Sequence, residues 1–247
     1  MSAPQWLIVP AAGRGTRMRA ECPKQYLLLD DRAVLACTLA RLYEAFPEAT
    51  LLLCLDTDDQ WFHDTMVPFA RWQRLDGGSE RVDSVRAGID WLAGHAHFDD
   101  WVLVHDVARP CVTVADLLHL MDTIRHDPVG GLLAAPVTDT LKRQDADQRI
   151  DATVPRQGLW RALTPQGFRY GVLREAFMTA FEAGFLMTDE ASGVERLGHA
   201  PLLVTGRSDN LKITHPEDLA LAAQILSAQR GSLPLSLSDK EPGHEPV

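Results

Sequence analysis

Short apolar runs alternate along the chain with stretches in which apolar residues recur every three or four positions. "WLIV" (Trp6 to Val9), "TLLLCL" (Thr50 to Leu55), "WVLVH" (Trp101 to His105) and "GGLLAAPV" (Gly130 to Val137) are continuous enough to predict strands buried on both faces. Val34, Leu35, Thr38, Leu39, Leu42 and Phe46 keep helical spacing, as do Val82, Val85 and Ile89 within Arg81 to Trp91. Further helices are predicted around Asp58 to Val67, Val114 to Arg125, Val172 to Ala183 and Pro216 to Gln229, with a strand at "PLLVT" before the last of them. Strands separated by helices predict an α/β fold, doubly wound around a mostly parallel sheet.

One segment breaks this rhythm. Thr138 to Trp160 is polar, with a central "QDADQ" turn between alternating flanks, and predicts a β-hairpin arm projecting from the body. Two strands alone are marginally stable in water, so the arm is expected to pack on a second subunit; a mobile hairpin on a monomer is the alternative. The closing "GSLPLSLSDKEPGHEPV" is rich in Pro, Ser and charge and predicts a disordered tail over 231–247, leaving 1–230 as one domain that includes the arm at 138–160.

Composition narrows the functional classes. The 247 residues carry a formal net charge of −10, which argues against a broad nucleic-acid surface but leaves room for a local cationic cleft. No apolar run approaches the ~20 residues of a membrane helix and no basic leader precedes the first strand, so a soluble, cytoplasmic protein is expected. Cys22, Cys37, Cys54 and Cys111 form no CxxC pair and read as reduced thiols. His95 and His97 have no supporting ligands nearby that would suggest a metal.

In open parallel sheets, ligands bind beyond the carboxyl ends of the strands, and the unusual residues fall there. The first strand runs into Pro10, Ala11, Ala12 and Gly13, whose small side chains let a ligand approach backbone N–H groups that can face an anion. "GRGTRM" has Met18 where a dinucleotide fingerprint needs glycine, and no Walker A sequence is present. Arg14, Arg17, Arg19 and Lys24 nevertheless place four cations within eleven residues, a density suited to phosphates; Arg14 and Arg19 are the weaker candidates. Asp106 follows the third strand, where a carboxylate suits Mg²⁺ or caps the next turn. Arg109 can pair with Asp106 or reach phosphate. Gly78, Asp83 and Ser84, in "GGSERVDS", can contact a base or ribose or cap their helix. Nothing resembles a Ser-His-Asp triad.

"PAAGRGTRM…ECPKQYL", "GGSERVDSV", "VLVHDVARPC", "AAPVTDTLKR", "RQGLWRALTPQ", "TDEAS" and "DNLKIT" occur in an order and spacing that resembles the 2-C-methyl-D-erythritol 4-phosphate cytidylyltransferase family, over residues 6 to about 226. The resemblance implies a nucleotide-diphosphosugar transferase-like, Rossmann-like fold, a homodimer and Mg²⁺. It also implies transfer of CMP from CTP to methylerythritol phosphate with release of pyrophosphate, in the non-mevalonate route to isoprenoids. Carried over by motif, Ala11 to Gly13 hold the nucleotide phosphates, Arg17 and Lys24 act at the reacting phosphate, and Gly78, Asp83 and Ser84 hold the cytidine. Asp106 takes metal and substrate, Thr140, Arg156 and Thr188 bind the acceptor, with the arm reaching the partner's site, and Lys212 is a second lysine near the phosphates. Val107 stands in "HDVARP" where many relatives carry alanine. A ribitol 5-phosphate cytidylyltransferase, a transferase using another NTP, and a nucleotide-binding regulator without turnover remain the competing readings.

Overall fold

The computed structural model describes residues 3–13, 15–18 and 20–231. Arg14, Arg19 and the expected tail beyond Gly231 lie outside the described residues. In chain order the strands are β1 (Trp6–Pro10), β2 (Leu28–Leu29), β3 (Arg32–Ala33), β4 (Thr50–Leu55), β5 (Trp72–Asp76), β6 (Trp101–Val104), β7 (Gly130–Pro136), β8 (Leu141–Gln144), β9 (Ile150–Val154), β10 (Trp160–Arg169) and β11 (Leu202–Thr205). The α-helices are α1 (Val34–Ala45), α2 (Arg81–Leu92), α3 (Val114–Ile124), α4 (Tyr170–Glu182), α5 (Glu190–Arg196) and α6 (Pro216–Gly231).

Seven strands form one sheet in the order β11-β7-β10-β6-β1-β4-β5. All neighbouring pairs are parallel except those of β10, which runs antiparallel to both β6 and β7. Alternation along β1 explains why both faces need helices. Leu7 and Val9 point into a core with Leu35, Leu39 and Leu42 of α1 and Leu117, Leu120 and Ile124 of α3. Ile8, between them, points the other way, to Val85 and Ile89 of α2 and Leu173 and Phe177 of α4. All these side chains are essentially inaccessible. A third cluster seats α6 on the small β2–β3 hairpin and the start of α1 through Leu29, Val34, Ala222 and Leu226.

Two sequence expectations need correction. No α-helix forms over Asp58 to Val67, where only a 3₁₀ turn at Asp64–Met66 is present. The Asp59 carboxylate accepts from the Trp61 and Phe62 amides, a local turn that competes with helical bonding, and most of the stretch is exposed with little to bury. The strand expected to run through His105 ends at Val104, leaving His105 and Asp106 in the loop. Elements that went unread include the two-residue strands β2 and β3; the edge strand β5, whose "WQRLD" has no apolar run; the short α5; and β10, which holds Pro165 and Gly167 in mid-strand and shifts register between Ala162 and Gln166.

The hairpin expectation corresponds to β8 and β9, which pair antiparallel as a sheet of their own. Most of its side chains are exposed, Ile150 at 67%.

Candidate active site

The chain passes from β1 to β4 and β5 on one side, then returns to β6 on the other, so the order of strands reverses at β1. At such a switch point the loops leaving adjacent strands part and open a crevice. The crevice here is lined by Pro10, Ala11, Ala12 and Gly13 after β1, Asp106, Val107 and Ala108 after β6, Arg81 and Ser84 of α2, and Lys24, Gln25, Glu80 and Lys212. The crevice measures about 110 Å³, so a nucleoside triphosphate would lie partly over the rim.

Each wall is fixed by traceable bonds. Gln25, 2% exposed, donates from Nε2 to the Ala11 carbonyl at 2.7 Å and ties the 3₁₀ turn carrying Lys24 to the end of β1. Gly15 sits at φ 60°, and a Cβ there would meet the Lys24 side chain at 2.9 Å. Gly77 allows a second close approach: its Cβ would fall 2.5 Å from Ala12 Cβ and 2.7 Å from Ser84 Oγ. The Lys24 ammonium donates to the Ile213 carbonyl at 2.9 Å. Burial lowers its pKa to about 8, helped by repulsion from Lys212, Arg17 and Arg109 and opposed by Asp106.

Asp106 is the electrostatic centre. Its Oδ1 accepts from Arg81 Nε at 2.6 Å, and its Oδ2 lies 2.8 Å from Lys212 Nζ and 3.6 Å from Arg109 Nε. Burial alone would raise its pKa, but Arg81 and Lys212 outweigh that and hold the carboxyl well below the usual range. Behind it, the Asp106 amide donates to Thr164 Oγ1 at 3.1 Å. Burial lowers the neighbouring His105 pKa to about 4, so its ring is neutral at pH 7. His105 Nε2 faces the Arg109 carbonyl, which can only accept, so Nε2 carries the proton and Nδ1 accepts from the Thr164 hydroxyl.

The chain is matched over residues 6–228 by the family model described as 2-C-methyl-D-erythritol 4-phosphate cytidylyltransferase. A protein of that name from Chromohalobacter salexigens is 62% identical over 227 residues, spanning 92% of this chain and 91% of the relative. The chain belongs to the 2-C-methyl-D-erythritol 4-phosphate cytidylyltransferase family. A Vibrio cholerae protein of the same name is 49% identical across 90% of this chain and 96% of its own. Among solved structures, a 4-diphosphocytidyl-2C-methyl-D-erythritol synthase superposes with a TM-score of 0.78 at 34% identity, covering 92% of this chain and all of that one. The Thermus thermophilus cytidylyltransferase superposes with a TM-score of 0.75 at 31% identity, with the same coverage.

Within this family member, the residues singled out by sequence fall into four groups. Pro10, Ala11, Ala12, Gly13, Lys24, Ser84, Asp106 and Lys212 line one crevice. Arg109 backs it through Asp106, while Arg17 is exposed and acts on Lys24 through its charge. Gly78 and Asp83 stand outside the lining. The Asp83 carboxylate accepts from the Glu80 amide and closes the capping box at the start of α2. Thr140 and Arg156, at the arm, and Thr188, before α5, are exposed and do not line the crevice of their own chain. Arg156 donates to the Thr138 carbonyl at the arm's base.

Sequence reasoning missed Arg81, Glu190, Gln25, Thr164 and Asn210. Arg81 and Glu190 sit inside the quoted "GGSERVDSV" and "TDEAS", but their roles depend on contacts 109 positions apart. Asn210, fully buried, donates from Nδ2 to the Thr164 carbonyl and accepts Arg109 Nη1 on its own carbonyl, fixing the loop that presents Lys212.

Proposed function

We propose that this chain transfers the cytidylyl group of CTP to 2-C-methyl-D-erythritol 4-phosphate. An acceptor phosphate oxygen attacks the α-phosphorus, the bond from that phosphorus to the bridging oxygen breaks, and pyrophosphate leaves with the electron pair. The product is 4-diphosphocytidyl-2-C-methyl-D-erythritol, a precursor in isoprenoid synthesis. The observation that carries this reading is the convergence of Lys24, Lys212 and Asp106 on the crevice at the switch point, in a chain of this family.

The nucleophile is already anionic near neutral pH, so the site needs no strong base. The obstacle is bringing two polyanions together, and fixed positive charge is the remedy. Lys24 and Arg17 are assigned to the charge that builds on the α-phosphate, and Lys212 to the phosphates beside Asp106. The backbone of Ala11 to Gly13 cradles the triphosphate. Ser84, with Gly78 and Asp83 shaping the turn, meets the nucleoside. Asp106, backed by Arg109, and Thr188 are assigned to the acceptor, joined by Thr140 and Arg156 of a second subunit.

Mg²⁺ fits in a limited way. Among the described residues no cluster of three or more His, Cys, Asp and Glu forms a metal cage. Asp106 supplies one hard oxygen donor, and Mg²⁺ commonly takes its other ligands from phosphates and water. Lys212, 38% exposed, can leave Oδ2 for a phosphate and free that oxygen. Bound there, the metal would orient the triphosphate and offset the charge of the leaving group.

The arm at 138–160 supports a homodimer, because its strands expose Ile150 and have little core of their own. Residues 1–230 then form one catalytic domain that includes the arm. No described helix is long and apolar enough to cross a membrane, which is compatible with the proposed cytoplasmic setting.

The test is pyrophosphate release from each NTP with methylerythritol phosphate, ribitol phosphate or no acceptor. Release confined to CTP plus methylerythritol phosphate is expected. Faster release with ribitol phosphate would change the acceptor, and nucleotide binding without release under every condition would refute turnover.

A further inference from the structure

One buried carboxylate has no place in the chemistry described so far. Glu190, 1% exposed, does not line the crevice. It accepts two bonds from Arg81, Nη1 to Oε1 at 2.6 Å and Nη2 to Oε2 at 3.0 Å, while Arg81 Nε holds Asp106 Oδ1. With both faces of its fork taken by carboxylates, Arg81 is oriented toward Asp106 rather than left to follow a phosphate.

The contacts close into a ring. Glu190 opens α5, and that end of α5 is gripped by Gln166 of β10: the Ala191 amide donates to Gln166 Oε1 at 2.8 Å, and Gln166 Nε2 donates to Asp189 Oδ2 at 2.9 Å. Two residues before Gln166, in the same irregular stretch of β10, Thr164 Oγ1 accepts the Asp106 amide. Asp106 is therefore fixed at its backbone by Thr164 and at its carboxylate by Arg81, and both restraints return to β10. Thr188 precedes α5 by two positions and hydrogen-bonds through its amide to Ser192 Oγ, so it moves with the same unit.

We infer that Glu190, acting through Arg81, is a positioning residue that fixes Asp106 and Thr188 relative to one another and thereby shapes the acceptor side of the site. The inference rests on the proposed cytidylyltransferase reading. The rival explanation is a staple between α2 and α5 that serves stability alone. A staple alone would let a folded Glu190 variant keep its acceptor affinity, whereas a positioning role would not, which separates the two.

The experiment compares wild type, Glu190→Gln and the double variant Arg81→Met/Glu190→Met by steady-state kinetics and thermal melting. Glu190→Gln is expected to raise the KM for methylerythritol phosphate about 10- to 100-fold, the usual range for losing an orienting partner, with the KM for CTP nearly unchanged. The double variant also takes Arg81 from Asp106, so it is expected to stay folded but melt below wild type and keep the acceptor defect. A folded Glu190→Gln whose acceptor KM stays within about threefold of wild type would overturn the inference. So would a double variant that regains both stability and acceptor KM, or loss of the folded state in both variants, since either makes the pair a staple. A wild type inactive toward methylerythritol phosphate would fail the functional reading instead.

Discussion

Replacing Lys24 with methionine separates the cost of the site from its use. In the free protein the ammonium is held against burial and three neighbouring cations, which is why its pKa falls to about 8. Methionine keeps most of the apolar stem and removes that repulsion. It gives up one hydrogen bond, to the Ile213 carbonyl, worth about 1 kcal/mol. Those effects oppose one another, so Tm should stay within a few degrees of wild type.

Turnover should behave differently. A unit charge about 4 Å from a developing phosphate charge interacts by about 4 kcal/mol at an effective dielectric constant near 20. Loss of a single aimed donor costs roughly 3–4 kcal/mol in comparable sites. Lys24→Met should therefore lower kcat by about a hundred- to a thousandfold. CTP should still bind, because Lys212, Arg17 and the backbone cradle remain. A coupled pyrophosphate assay gives kcat, titration calorimetry gives CTP affinity, and melting gives Tm. Near-normal kcat in a folded variant would remove Lys24 from the transition state. Lost CTP affinity with unchanged kcat would make it a ground-state anchor.

The depressed pKa also predicts proton uptake. A bound triphosphate supplies negative charge beside Lys24 and restores its proton, so CTP binding at pH 8 should take up about half a proton, and much less at pH 6.5. Calorimetry in buffers of different ionisation enthalpy measures this, and equal heats at pH 8 would contradict it. Arg156→Ala should raise acceptor KM with little change in that for CTP. Mixed with Lys24→Ala subunits, it should recover about a quarter of wild-type activity, because half the dimers would hold one intact site. No recovery in a confirmed mixed dimer would place Arg156 in its own subunit's site. Gly77→Ala should cost about 1–3 kcal/mol in stability and weaken CTP binding, since its methyl would press on Ala12 and Ser84. Unchanged melting and affinity would show that the loop yields freely.

The parallel half of the sheet was legible because β1, β4, β6 and β7 are unbroken apolar runs, and burial on both faces demands that composition. The cluster at the crevice was legible for the same reason, since residues just past such strands share one edge. β10 was not. It lies between β7 and β6, yet its Pro165 and Gly167 read as breakers, and tertiary pairing on both sides overrides them. Asp83 shows a different limit. In sequence it suits a ribose contact and a helix cap equally well, and the cap is seen only in the folded chain. The Arg81–Glu190 contact left no local trace, because its two halves are brought together by packing of α2 and α5 against the sheet.

The protein's net charge of −10 raises the question of how it attracts a polyanion at all. At physiological salt, surface charges are screened over about 8 Å, so an incoming phosphate responds mainly to what lines the crevice. There Lys24, Lys212, Arg81 and Arg109 gather around Asp106. Without an internal anion those cations would repel one another and the loops that carry them would spread. Asp106 supplies that anion, with Lys212 only 2.8 Å from Oδ2 yet 38% exposed. On the proposed reading, Lys212 would exchange Asp106 for a phosphate of CTP, one anionic partner for another. Arg81, anchored at the other end by buried Glu190, keeps Asp106 from following it. On that reading Asp106 and its cations order the site, and the Lys212 contact is the one a phosphate would replace.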